Sequence, residues 1–75
     1  MFYFQKLAGG FWVDVDTGLS VNDFEAAKKV LGGMVATHYE GAREFRVLAE
    51  CVLKDKKCLI PVLYGNKELA EKGVL

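Results

Sequence analysis

Two carboxylates spaced two residues apart, Asp14 and Asp16, sit within the stretch Trp12 to Ser20 and are followed by Thr17-Gly18. Paired carboxylates can move protons or hold a divalent cation, because they offer both a base and hard oxygen ligands. His38, Cys51 and Cys58 make a second chemically capable set, with the nitrogen and sulfur donors that zinc takes. A third set is basic: Lys54, Lys56 and Lys57 in one short stretch, with Arg43 and Arg46 upstream. Each set does its chemistry only if the elements that carry it bring it to one place.

Those elements begin with two strands, Phe2 to Ala8 and Phe11 to Val15, joined by Gly9-Gly10, a two-residue hairpin signal. The implied register pairs Ala8 with Phe11, Lys6 with Val13 and Phe4 with Val15. One face then carries Phe2, Phe4, Phe11, Val13 and Val15, broken only by Lys6, and reads as core. Tyr3, Gln5, Leu7, Trp12, Asp14 and Asp16 take the other face. Ser20 is a suitable helix N-cap, with Asp23 three residues on. Val21, Phe24, Ala27 and Leu31 give the stripe of a helix over 21–32, ended by Gly32-Gly33.

Residues 34–64 allow two readings. As a helix, 42–57 aligns Arg43, Arg46, Glu50, Lys54 and Lys57 on one stripe. As a meander, Met34 to Glu40 turns at Gly41-Ala42, Arg43 to Leu53 follows, and the polar Lys54-Asp55-Lys56-Lys57 turns into Cys58 to Tyr64. The meander places Met34, Ala36, Phe45, Val47, Ala49, Cys51, Leu53, Cys58, Ile60, Val62 and Tyr64 on one face, and only His38 interrupts it. Agreement through two independent turns favours the meander. A short last helix over 66–72 is capped by Asn66 and stopped by Gly73. The expectation is one α+β domain over 1–75, in the order β-β-α-β-β-β-α, with an antiparallel sheet of about five strands on one helix. The alternative order is β-β-α-β-α-β-α.

With 75 residues, 52% of them hydrophobic and 27% charged, the chain has the make-up of one small folded domain rather than a disordered tail. Ten basic and ten acidic residues cancel, so no basic excess argues for nucleic acid. No signal peptide is evident, and the longest apolar run, Cys58 to Tyr64, is far short of a membrane span. Two cysteines are too few for a disulfide scaffold. A cytoplasmic protein without membrane contact is the expectation.

Asp-Thr-Gly after an apolar strand resembles the active-site turn of aspartic proteases, but that turn needs a small residue next, where Leu19 stands. Asp-x-Asp resembles the nucleophile loop of haloacid-dehalogenase phosphatases, which needs a downstream lysine and further carboxylates around magnesium on a parallel sheet. Neither fits this length, so Asp14 and Asp16 read as solvated hairpin residues and Thr17-Gly18 as a turn toward the helix. In the meander Cys51 lies roughly 20 Å from His38 at about 3.3 Å per residue, whereas zinc ligands lie about 2 Å from one ion. Cys51 and Cys58 become diagonal neighbours, roughly 7–8 Å apart and beyond easy disulfide reach. No catalytic residue, metal or cofactor is assigned, and the chain reads as a non-enzyme.

What remains is surface. The outward face of the last hairpin brings Leu48 beside Leu63 and Val52 beside Leu59, with Val35 added from the preceding strand. Tyr3, Leu7 and Trp12 face outward from the first hairpin. Contiguous exposed apolar surface marks protein interfaces, so these residues are the expected contact with another protein, a homodimer partner included. The rival expectation is a nucleic-acid binder using Arg43, Arg46, Lys54, Lys56 and Lys57, with exposed Trp12 for stacking.

The first 31 residues resemble the opening of HicB-type antitoxins: a strand, a glycine turn, a second strand, a polar turn, and a helix with Phe24-Glu25-Ala26-Ala27. Those antitoxins carry a longer strand region with a Pro-Asp-x-x-Gly stretch that is absent here, and the remaining residues do not follow them. Apart from that resemblance, elimination of the chemical sets together with the apolar surface gives the expectation of a small binding module that occupies a partner protein's surface, as an inhibitor or adaptor of the antitoxin-like or phage-encoded anti-defence type, borne by a phage or mobile element.

Overall fold

The computed structural model describes residues 1–66. Its first hairpin joins β1 (Phe2–Ala8) to β2 (Phe11–Val15) in the register that the glycine turn implies, with Phe4 opposite Val15 and Ala8 opposite Phe11. Gly9 and Gly10 both have positive φ, 60° and 85°, the backbone of a turn whose twist matches that of the flanking strands. Helix α1 (Phe24–Thr37) follows, then a single 3-10 turn (Tyr39–Gly41), β3 (Glu44–Leu53) and β4 (Lys56–Asn66). The sheet is antiparallel, of order β2-β1-β3-β4, with α1 packed on one face. The class is α+β, with four strands among the described residues where about five were expected.

The missing strand is the continuation of α1. Ala27, Leu31, Met34 and Val35 are all buried at helical spacing. That apolar stripe carries the helix through Gly32-Gly33 despite a cost near 1 kcal/mol per glycine. The helix stops instead at His38, which takes a left-handed conformation (φ 50°) and donates its N–H to the carbonyls of Met34 and Val35. Gly41-Ala42 is therefore not a hairpin turn, and Met34, Ala36 and His38 do not lie on the sheet. The start also moves: Asp23, not Ser20, is the N-cap, its Oδ2 accepting from the Ala26 N–H at 3.0 Å. Val21 makes an isolated bridge to Phe2, whose N–H donates to the Val21 carbonyl at 2.8 Å.

Gly32→Ala and Gly33→Ala are each expected to raise stability by about 0.5–1 kcal/mol, because a Cβ at either position meets no neighbouring atom within 4 Å. Glycines ending a helix in a left-handed conformation would lose stability on the same change. Urea midpoints of the two variants separate the cases by sign.

Residues 42–57 are not a helix. Alternate residues of β3, Phe45 and Val47, are fully buried under α1, and β3 pairs with β1 from Lys6–Phe45 to Phe2–Ala49. A period of two, satisfied on both flanks, outweighs helical propensity here. Lys54-Asp55 alone make the last turn, with φ 49° and 65°, so Lys56 and Lys57 enter β4 opposite Leu53 and Val52. The register then shifts between Val47 and Leu48, beside Pro61, which has no N–H to give to a ladder. Beyond that bulge Leu63 and Gly65, not Val62 and Tyr64, oppose the buried Val47 and Phe45. The helix expected over 66–72 lies outside the described residues, apart from Asn66, which closes β4.

The core comprises Phe4, Val15, Val21, Ala27, Leu31, Met34, Val35, Ala42, Phe45 and Val47. Phe11, 75% exposed, and Val13 were expected in it and are not, although they share the inward face. Lys6, the one charge on that face, reaches Glu40 Oε2 at 2.6 Å. Its apolar stem lines the sheet while its ammonium is paired at the rim.

Candidate functional site

The acidic turn is locally satisfied. Asp14 Oδ1 accepts from Gln5 Nε2 at 2.8 Å, and Asp16 Oδ1 accepts from the Gly18 N–H at 2.9 Å. The Leu19 N–H donates to Thr17 Oγ1 at 3.2 Å. Asp14 and Asp16 border an open cleft of about 630 Å³ whose floor includes Phe2, Tyr3, Leu19 and Leu59. Among the described residues no three His, Cys, Asp or Glu side chains gather where they could hold a metal ion. His38 is exposed at the end of α1, while Cys51 and Cys58 lie opposite each other on β3 and β4. The two thiols are thus direct rather than diagonal neighbours, because the two-residue turn moves the register.

The basic set divides. Arg43 precedes β3 and Lys54 follows it, so the two ends of that ten-residue strand stand roughly 33 Å apart. Lys54, Lys56 and Lys57 stay together at the hairpin tip. Arg46 is committed to the sheet: its guanidinium lies 4.5 Å from the centroid of the Trp12 ring, and its Nε donates to Gln5 Oε1 at 2.7 Å. Tyr64 stands edge-on to Trp12 with ring centroids 5.8 Å apart, and its hydroxyl donates to Glu44 Oε1 at 2.6 Å.

The expected interface residues separate by location. Tyr3, Leu7, Trp12, Leu48, Val52 and Leu59 lie on the outward face of the sheet, the face away from α1. Val35 does not: it is 2% exposed inside α1, since the strand assigned to it is helix. Leu63 does not either, because the bulge turns it inward against the core. Leu48 is outward but only 5% exposed, opposite Pro61 rather than Leu63 and next to Tyr3 on β1. Val52 and Leu59 are 67% and 52% exposed and pair with Lys57 and Glu50, not with each other. Tyr64 and Val62 were missed as outward residues, although Pro61 within a strand was a signal for a bulge. With Trp12, Arg46 and Pro61 they border a shallow groove.

The face is braced by a further pair, in which the Tyr3 hydroxyl donates to the Glu50 carboxylate. That bond holds the Tyr3 phenol above its ordinary pKa and the Glu50 carboxyl below its own. The Glu50 contribution is complete above the ordinary glutamate range and is lost as pH falls through the folded pKa. The Tyr3 contribution is present below about pH 10 and is lost as pH rises through its raised value. The melting-temperature difference between the unaltered chain and Tyr3→Phe should therefore be widest near neutrality and shrink at both extremes. A difference independent of pH would show that the bond does not contribute.

Comparison with known proteins adds one relative. The chain is 34% identical, over 70 residues, to an uncharacterised protein of Methanocaldococcus jannaschii. The match covers 91% of this chain and 29% of that protein, so the chain spans less than a third of its relative. No family model matches the sequence, and no solved structure matches it. Among the described residues no helix is long and apolar enough to cross a membrane.

Proposed function

We propose that the chain is a cytoplasmic protein-binding module that acts by occupying the surface of another protein, as an inhibitor or adaptor of the antitoxin-like or phage anti-defence type, and not as an enzyme. One observation carries the reading: the β3–β4 hairpin runs on past β1, whose ladder ends at Ala49, and presents apolar side chains to both sides. Val52, Leu53, Leu59 and Ile60 are all exposed there. A two-stranded ribbon is marginal in water without a surface to pack on, and exposed contiguous apolar area is what interfaces use. A second copy of the chain is one such surface and would support so small a core.

The rival reading, nucleic acid, has Lys54, Lys56 and Lys57 at the tip in its favour, but Arg43 and Arg46 do not extend that patch. Sedimentation of the full chain and its capture of partners, with and without nuclease, test both. Val52→Asp and Leu59→Asp alter exposed residues and should leave the fold intact while weakening protein contacts at least about tenfold, near 1.4 kcal/mol. Capture that survives both changes, but falls steeply with salt and with Lys56→Glu, would instead identify phosphate contacts.

A further inference from the structure

Cys51 and Cys58 face each other across the β3–β4 ladder, both free and both half-buried. Directly opposed residues in an antiparallel pair have Cα atoms about 4.5–5.5 Å apart, inside the roughly 4.4–6.8 Å span of disulfides. The register at this point is that of the tight turn. The left-handed Lys54-Asp55 turn sets it from one side, and the shift in register lies farther along, between Val47 and Leu48. The thiols also sit beyond Ala49, where β1 no longer pairs with β3. They occupy the projecting part of the hairpin, open to a small reagent.

We propose that Cys51 and Cys58 form a reversible dithiol–disulfide pair that exchanges with small anionic disulfides of the glutathione type. The thiolate of one cysteine attacks a sulfur of glutathione disulfide, forming a mixed disulfide and expelling one glutathione thiolate. The second cysteine's thiolate attacks the protein sulfur of that bond, closing Cys51–Cys58 and expelling the second glutathione. Two protein thiols are oxidised, one glutathione disulfide is reduced to two thiols, and the two thiol protons leave to solvent or to the departing thiolates. Lys54, Lys56 and Lys57, against the single Asp55, make the tip cationic. That charge favours approach of a carboxylate-bearing reagent. The bond ties the strand that carries Val52 to the strand that carries Leu59, so oxidation stiffens the ribbon whether or not it is an interface.

The test is an equilibrium titration of the full chain in glutathione buffers, with thiols trapped by alkylation and mapped by peptide mass. In native buffer the intramolecular bond should form with an effective thiol concentration at least about tenfold higher than in concentrated guanidinium chloride, where only chain proximity acts. Cys58→Ser should stop at a glutathione adduct on Cys51. An effective concentration no higher in the folded chain overturns the proposal. So does accumulation of doubly glutathionylated protein, or of bonds between chains. The readout does not depend on any partner, so its failure leaves the protein-binding reading where it was.

Discussion

Val35→Asp is expected to unfold the chain at neutral pH, whereas Val52→Asp leaves it folded. Both are valines that the sequence alone places on one outward patch. In the structure Val35 is 2% exposed among Leu31, Phe45 and Val47 in the core, and Val52 is 67% exposed. Replacing Val35 forfeits about 1.5–3 kcal/mol of burial and leaves a carboxylate in apolar surroundings, at a cost of several kcal/mol more. A chain of this length has a total stability of roughly 4–11 kcal/mol, so little or none survives. Burial raises the pKa of such a carboxyl, and the loss should therefore ease as pH falls and the group is neutralised. Far-UV circular dichroism of the two variants at neutral and acid pH decides the matter. If Val35→Asp melts within a few degrees of the unaltered chain, the helix does not cover that position.

Phe45→Ala should cost about 3–5 kcal/mol, and Phe11→Ala less than about 0.5 kcal/mol. Phe45 is fully buried where β1, β3 and α1 meet, while Phe11 is 75% exposed at the start of the edge strand. Both residues sit in strands with inward-facing parity, so period alone does not rank them. Guanidinium unfolding with unchanged slope would report the difference directly in the midpoints. Equal losses at the two positions would mean that the core extends under β2 farther than the structure shows.

Local rules were enough wherever the determinant was local. Gly9-Gly10 set the first hairpin and its register, because two consecutive positive-φ positions are cheap only for glycine. The alternation around Phe45 and Val47 identified β3 against a competing helical stripe. The outward placement of Tyr3, Leu7 and Trp12 followed from the same parity. The errors share another origin. Gly32-Gly33 looked like a helix end, yet each glycine costs only about 1 kcal/mol, and burial of Met34 and Val35 outweighs that cost. Lys54 and Asp55 do not look like a two-residue turn, since both must adopt left-handed φ, and the pairing of two long strands carries them into it.

The outward apolar face was legible in kind and not in membership. An apolar outward surface on the last hairpin could be inferred from composition and period. Which residues form it depended on a turn two residues shorter than expected, a bulge beside Pro61 and the length of α1. The shorter turn moves each cross-strand partner by two, the bulge reverses Leu63 onto the inward face because the strand period is two, and the longer helix takes Val35 off the sheet. The pairing of Cys51 with Cys58 follows from the turn and the burial of Val35 from the helix, while the stacking of Arg46 on Trp12 follows from the pairing of β3 with β1 beside β2. The α+β class, the first hairpin and the alternating face of β3 were thus determined by residue order alone. Which valine is core, which cysteines meet and where the apolar ribbon projects were decided only when helix and sheet closed on one another, because those outcomes are set by contacts between residues far apart in the chain.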